Sequence, residues 1–343
     1  MPNCPNRRHF IRTGSLAAAG LALTPLLSCK TSQAAPLSWR PKSPLPYQLQ
    51  EVYCAVLAKR IHVAGGFLVK DGKVRISTHH IVYDPTVNSW KELAALPEAR
   101  HHLQLVAYGD QLYGFAGFEM RTSGNMWIMH QQTWAYDPIA DEWSTKTAAP
   151  KKHAETVAGN LSGRIHIVGG RTPGGTSNGT YGDHQDTNQH LVYDPGSDSW
   201  TSAAPALTAR NSAAGAVIDD QLYVVGGRTV ADGNLANLEV YDPREDKWRS
   251  AAPMPQGQGG LAAAAVKGKL YAFGGEYFDD GGGVYPQTWQ YEPKKDRWSA
   301  ITLMLTPRHG LAGTAIGDSI YAMAGAKRAS LAETSNVLET LSL

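Results

Sequence analysis

Six tryptophans, Trp39, Trp90, Trp143, Trp200, Trp248 and Trp298, recur at intervals of 51, 53, 57, 48 and 50 residues. A second series keeps the same steps: Gly65-Gly66, Ala116-Gly117, Gly169-Gly170, Gly226-Gly227, Gly274-Gly275 and Ala324-Gly325. Two markers locked to one period mean a repeated supersecondary unit, and a period of about 50 residues suits the blade of a β-propeller. The phase adds more. Each doublet precedes a tryptophan except the last, and Trp39 has no doublet before it. The chain therefore reads as a circle cut inside one unit.

The stretch from Pro205 to Trp248 is the cleanest copy. Ala213 to Ile218 is small and apolar, Asp219-Asp220 makes a turn, and Gln221 to Val225 alternates toward Gly226-Gly227. After a loop come Leu238 to Tyr241, the turn Asp242-Pro243, and a strand carrying Trp248. That is four short strands bounded by turn residues. Tyr83, Tyr136, Tyr193, Tyr241 and Tyr291 each open a Tyr-Asp-Pro or Tyr-Glu-Pro step seven residues before a tryptophan. Proline fixes φ in such a turn and aspartate bonds its own backbone. The tryptophan is a large apolar wedge for packing between sheets.

This unit of glycine pair, tyrosine and tryptophan resembles the kelch repeat, and the likeness runs from about residue 37 to residue 343. Departures are small: alanine opens the doublets at Ala116 and Ala324, and Glu292 stands for aspartate. The resemblance implies an all-β, six-bladed kelch β-propeller with four antiparallel strands per blade. The last unit ends without a tryptophan strand, so the segment around Trp39 is expected to join the C-terminal blade and remove two open edges.

Residues 1–36 read differently. Arg7-Arg8-His9-Phe10-Ile11-Arg12 before an apolar run from Gly14 to Leu27 resembles a twin-arginine export signal. Leu26-Leu27-Ser28-Cys29 resembles a lipobox, with Cys29 as the lipidated residue, and Lys30 to Leu37 would be a tether. Ser32-Gln33-Ala34 is the alternative cleavage site, which would release a soluble protein. The expected address is periplasmic, with membrane contact only through the lipid. Cys54 is then the lone cysteine of the folded part, expected as a buried small hydrophobe. A net charge of +2 without a lysine or arginine run makes no case for nucleic acid.

Strand-one to strand-two turns and the Tyr-Asp-Pro turns share one face and are tight. The loops after the doublets share the other face and are long: Phe118 to Gln132 with Trp127, Arg171 to Gln189 with Tyr181 and His184, and Glu276 to Gln287 with Tyr277. Long loops on a rigid scaffold commonly bind, although neutral insertion gives the same lengths. Aligning the units on strand two brings six triplets to one funnel: Leu49-Gln50-Glu51, Arg100-His101-His102, His153-Ala154-Glu155, Arg210-Asn211-Ser212, Gln258-Gly259-Gly260 and Arg308-His309-Gly310. Arg100, Arg210 and Arg308 would meet a ligand carboxylate, joined by His101, Asn211 and His309, unless they simply bond loop carbonyls. His79-His80 and His101-His102 are strand neighbours expected to point to opposite faces, so neither is a ready chelate. No metal or cofactor is expected.

Two readings follow. One is a binding module for a peptide, glycan or partner protein on the loop face. The other draws on a fold-level resemblance to exported bacterial sialic-acid mutarotases. It would be a mutarotase or epimerase of an acidic sugar, with Glu155 or Glu51 and His102 or His153 as the acid–base pair.

Overall fold

The computed structural model describes residues 36–70, 72–120 and 127–343. The arginine pair, Cys29 and nearly all of the expected tether lie outside the described residues. Among the described residues the chain is β structure with short 3₁₀ turns at Tyr181–Asp183, Asp279–Gly281 and Pro293–Lys295.

Four-stranded antiparallel units repeat along the chain. The first runs Cys54–Leu57, Arg60–Ala64, His80–Asp84, Ser89–Leu93, in spatial as in chain order. Equivalent sheets span 104–146, 157–202, 214–251 and 259–303. In the sixth, Ala312–Ile316, Ser319–Met323 and Leu338–Ser342 take their outer partner from Arg40–Pro41, with Arg40 opposite Thr340 and Pro41 opposite Glu339. Trp39 is 4 % exposed, meets Phe273 edge-on at 5.2 Å and donates its indole N–H to Thr288 Oγ1 at 2.9 Å.

The core lies between sheets. Each of six clusters of buried apolar side chains spans one sheet boundary, and one joins the first sheet to the last through Ile61, Val63 and Tyr83 against Tyr321 and Met323. The seven-residue spacing now has a cause. Tyrosine and tryptophan are cross-strand partners, Tyr241 opposite Trp248 for example, and their rings pack with centroids 5.2 Å apart. A third residue completes the unit. Tyr241 donates its hydroxyl to Asp246 Oδ1 at 2.8 Å, and the same oxygen accepts the Ala204 N–H of the preceding sheet at 2.8 Å. Ala204 O accepts the Trp248 indole N–H at 2.9 Å. Tyrosine, acid and tryptophan thus clasp one boundary, and the clasp recurs with Asn88, Asp141, Asp198 and Asp296 in the acid's place.

Two boundaries also bury paired histidines. His166 Nδ1 lies 2.8 Å from His190 Nε2, and His62 Nδ1 lies 3.0 Å from His80 Nε2. His190 Nδ1 donates to Ala204 O at 3.1 Å, so its Nε2 accepts and His166 Nδ1–H donates. Burial holds the imidazoles neutral, lowering His166, His190 and His62 to about 4 and His80 to about 3.

Candidate functional site

One backbone device builds the site. The second residue of every triplet pairs with the residue just after a glycine doublet: Gln50 with Phe67, His101 with Phe118, Ala154 with Arg171, Asn211 with Arg228, Gly259 with Glu276, His309 with Ala326. The doublet glycines permit this approach. A Cβ on Gly325, at φ +89°, would sit 2.6 Å from His309 O. The third residue of every triplet is then left-handed: Glu51, His102, Glu155, Ser212, Gly260 and Gly310 have φ between 50° and 69°. Four of those residues are non-glycine, and such conformations cost roughly 1–3 kcal/mol each and cluster at functional sites.

These residues form a neck. Their amides run from sheet to sheet: Glu51 N donates to Gly310 O at 2.7 Å, His102 N to Glu51 O at 3.0 Å, Gly260 N to Ser212 O at 2.9 Å, and Gly310 N to Gly260 O at 2.9 Å. Below the neck the first strands enclose a channel of about 290 Å³, walled by small residues such as Gly215, Ala263 and Gly313 and by Cys54. Burial pushes the Cys54 thiol up to about 12, so it stays protonated. Above the neck opens a basin of about 510 Å³. Its floor is Glu51, His102, Glu155, Ser212, Arg228, Glu276 and His309, and its wall carries Phe67, Trp127, Tyr181 and Phe278.

The floor is charged and mostly paired. His102 Nε2 lies 2.8 Å from Glu51 Oε2. Burial alone would raise the Glu51 carboxyl, but the His102 charge and hydrogen bond outweigh it and hold it at about 2. For His102 burial opposes protonation, yet Glu51 wins and the imidazole is raised above its ordinary value. Arg228 Nη2 meets Glu276 Oε1 at 2.8 Å, and His309 Nδ1 lies 3.3 Å from the same oxygen. Ser212 donates to Glu155 Oε2 at 2.8 Å, while Glu155 Oε1 has as nearest cation Arg171 Nη1 at 4.0 Å. Among the described residues no group of three or more His, Cys, Asp or Glu is placed to hold a metal.

Of the residues expected at the site, Glu51, His102, Glu155, His309, Trp127 and Tyr181 line the basin. The three arginines do not. Arg100, Arg210 and Arg308 are buried at sheet boundaries, where Arg308 donates to Ala324 O at 2.7 Å, Thr306 O at 2.6 Å and Ala322 O at 3.1 Å, and pairs with Glu339 at 3.2 Å. Arg210 bonds Val224 O and pairs with Glu239, and Arg100 bonds Ala99 O and pairs with Glu98. His153 is buried with Nδ1 on Lys151 O and its Nε2 has no hydrogen-bond partner, so it does not pair with the neck carboxylates. Asn211 bonds Asp186, His184 stacks on Phe118 behind the Trp127 wall, and Tyr277 packs on Tyr285 outside the basin.

The expectation that His101 and His102 diverge also fails. The left-handed turn at His102 brings their Nδ1 atoms within 2.7 Å, while His101 is layered between Phe67 and Phe118. His79 and His80 do point apart, His79 to Tyr47 and Glu92 and His80 to His62. Arg228, Glu276 and Arg171 went unnoticed in the sequence, although each directly follows a glycine doublet. That position was the signal, because it always pairs with a triplet.

The KLHDC2/KLHL20/DRC7 Kelch-repeats domain matches residues 51–248 and 152–340. The chain is a kelch-repeat protein. Kelch-like protein terF of Aspergillus terreus is 26% identical over 196 residues, 56% of this chain and 41% of its own. Kelch-like protein 35 of Mus musculus is 29% identical over 172 residues, 50% of this chain and 26% of its own. The chain thus spans less than half the length of these relatives. The solved structure of YjhT superposes with a TM-score of 0.72 at 16% identity, covering 87% of this chain and 95% of that one, and so shares the kelch-propeller fold.

Proposed function

We propose that the six kelch sheets are blades of one ring closed through Arg40–Pro41, and that the protein is a binding module whose loop-face basin holds a peptide, a glycan or a segment of a partner protein. The basin itself carries this reading. An open basin of about 510 Å³ with aromatic walls and convergent polar groups on its floor has the form of a ligand site. Glu51, His102, Glu155 and Ser212 stand on left-handed backbone, and the Glu51 and His102 amides are fixed by inter-sheet hydrogen bonds, which supports a preformed floor. The test is a glycan and peptide array probed with the purified chain and with Trp127→Ala. Specific hits lost in the variant support the module, and hits retained in the variant refute the basin as their site. The arginine pair and Cys29 extend the proposal to a lipid-held periplasmic protein, for which palmitate labelling should vanish in Cys29→Ala.

A second reading rests on one contact. Glu51 and His102, 2.8 Å apart at the neck, are an acid–base couple that could open a sugar hemiacetal. An acidic sugar would bring a carboxylate to a floor whose cavity-lining arginine, Arg228, is already paired with Glu276. Anomer exchange of sialic acid, followed by proton NMR, tests it: no acceleration removes this reading.

A further inference from the structure

We propose that the group entering the neck is a protonated amine carried on an apolar body, seated between the Glu51 and Glu155 carboxylates and against Trp127 and Tyr181. This rests on the basin being the binding site. Four observations give it a sign.

The first is the pair of carboxylate oxygens. Glu155 is 3% exposed and its Oε1 has no hydrogen bond, with Arg171 Nη1 no closer than 4.0 Å. Glu51 Oε1 lies 3.7 Å from His309 Nδ1, while its Oε2 holds His102. Their residues flank His102 in the order of the triplets, and both line the basin. Both carboxylates border the basin, so an entering N–H group can add a charge-assisted hydrogen bond there.

The second concerns cations. Arg228 is turned to Glu276 at 2.8 Å and lies under the Phe278 ring at 5.5 Å. Arg171 has no exposed surface, its guanidinium covered by the Tyr181 ring at 3.6 Å. Arg100, Arg210 and Arg308 serve the sheet boundaries. His102 is committed to Glu51.

The third is the backbone. Successive left-handed residues often point amides at an anion. Here four of the six neck amides, those of Glu51, His102, Gly260 and Gly310, are consumed by neighbouring carbonyls, and the other two belong to Glu155 and Ser212, beside the Glu155 carboxylate that would repel an anion.

The fourth is shape. Gly310 leaves the space that the Glu51 carboxylate occupies, since a Cβ there would lie 2.6 Å from Oε1. Trp127 and Tyr181 meet edge-on at 5.0 Å, and Tyr181, Val230, Phe278 and Leu331 expose apolar surface around the mouth. An ammonium group against aromatic faces adds cation–π attraction, and the apolar rim accepts the body that carries it.

The experiment is calorimetric titration of the purified chain with phenethylamine, phenylethanol, phenylacetate and an acetylated, amidated lysine peptide. We expect phenethylamine to bind at least about tenfold more tightly than phenylacetate. Glu155→Gln and Glu51→Gln should each weaken the amine about tenfold while changing phenylethanol less than about twofold. Trp127→Ala, placed on the wall rather than at the neck, should weaken all binders. Tighter binding of the peptide than of phenethylamine would assign the amine to a lysine side chain, and the reverse to a small molecule. Binding of phenylacetate as tight as that of phenethylamine overturns the proposal and leaves the basin standing. Amine binding unchanged in Glu155→Gln and Trp127→Ala, each with the wild-type melting curve, overturns it too. If no probe binds, the amine preference falls, and the array with Trp127→Ala decides the basin reading separately.

Discussion

Acid should loosen this propeller through its buried histidine pairs. His166 and His190 are 5% and 2% exposed, and burial lowers both from 6.5 to about 4. The sign is fixed by which state binds the proton. Between the unfolded value of 6.5 and the folded value of about 4 the unfolded chain takes up protons that the native pair refuses. Stability present above the unfolded value is therefore lost as pH falls toward the folded one. With those values, lowering pH from 7 to 5 costs about 2 kcal/mol per histidine, or about 4 kcal/mol for the pair. That is a large part of the roughly 5–15 kcal/mol that stabilises a domain. The perturbation is His166→Gln with His190→Gln, and the assay is urea unfolding of both proteins at pH 7, 6 and 5. The variant's absolute stability is not the readout. Its loss of stability between pH 7 and 5 should be smaller than the wild type's by about 4 kcal/mol. His102, whose raised imidazole acts with the opposite sign, is present in both proteins and cancels. Carboxylates contribute little in this window, because the unfolded ones titrate near pH 4. The same comparison with His62→Gln and His80→Gln is the replicate at another boundary. Parallel pH profiles of wild type and variant in both comparisons would refute the burial argument.

Asp246→Ala removes the acceptor shared by Tyr241 and Ala204 and should cost about 1–2 kcal/mol in a urea titration, whereas Asp246→Asn should retain most of it, as Asn88 does in the first sheet. Deleting residues 37–43 removes Trp39 and the outer strand of the last sheet, and should lower the melting temperature by more than about 4 °C, since burying one tryptophan is worth about 3 kcal/mol or more. A melt unchanged by the deletion would count against closure through this segment. Gly310→Ala places a methyl group against the Glu51 carboxylate at a φ of +56°, and should abolish ligand binding in the basin while lowering stability by about 1–3 kcal/mol.

The scaffold was largely legible because its markers are mechanical. Glycine doublets, Tyr-Asp-Pro turns and tryptophans each do the same job in every sheet, so periodicity exposes them. The Asp or Asn two residues before five of the six tryptophans, Asn88, Asp141, Asp198, Asp246 and Asp296, has the same period but is not among the markers that the repeat first shows. The triplet alignment also put the right segments at the funnel, but it could not say which side chain of each triplet faces inward. That depends on the left-handed backbone of Glu51, His102, Glu155 and Ser212, an unfavourable conformation that residue type does not announce. The arginines were therefore assigned to the ligand when their neighbours' carbonyls and carboxylates hold them in the sheet boundaries. Arg228 and Glu276 stand in strand residues directly after the glycine doublets, and only their pairing with the triplets brings them to the floor.

The most direct test of the basin is a crystal of the domain soaked with whichever array hit or amine probe binds in solution. The ligand should lie above the neck, in contact with Trp127 and with a polar end at Glu51 or Glu155. A ligand bound instead on the face of the Tyr-Asp-Pro turns, with the basin left empty, would contradict the proposal that this propeller works through its loop face.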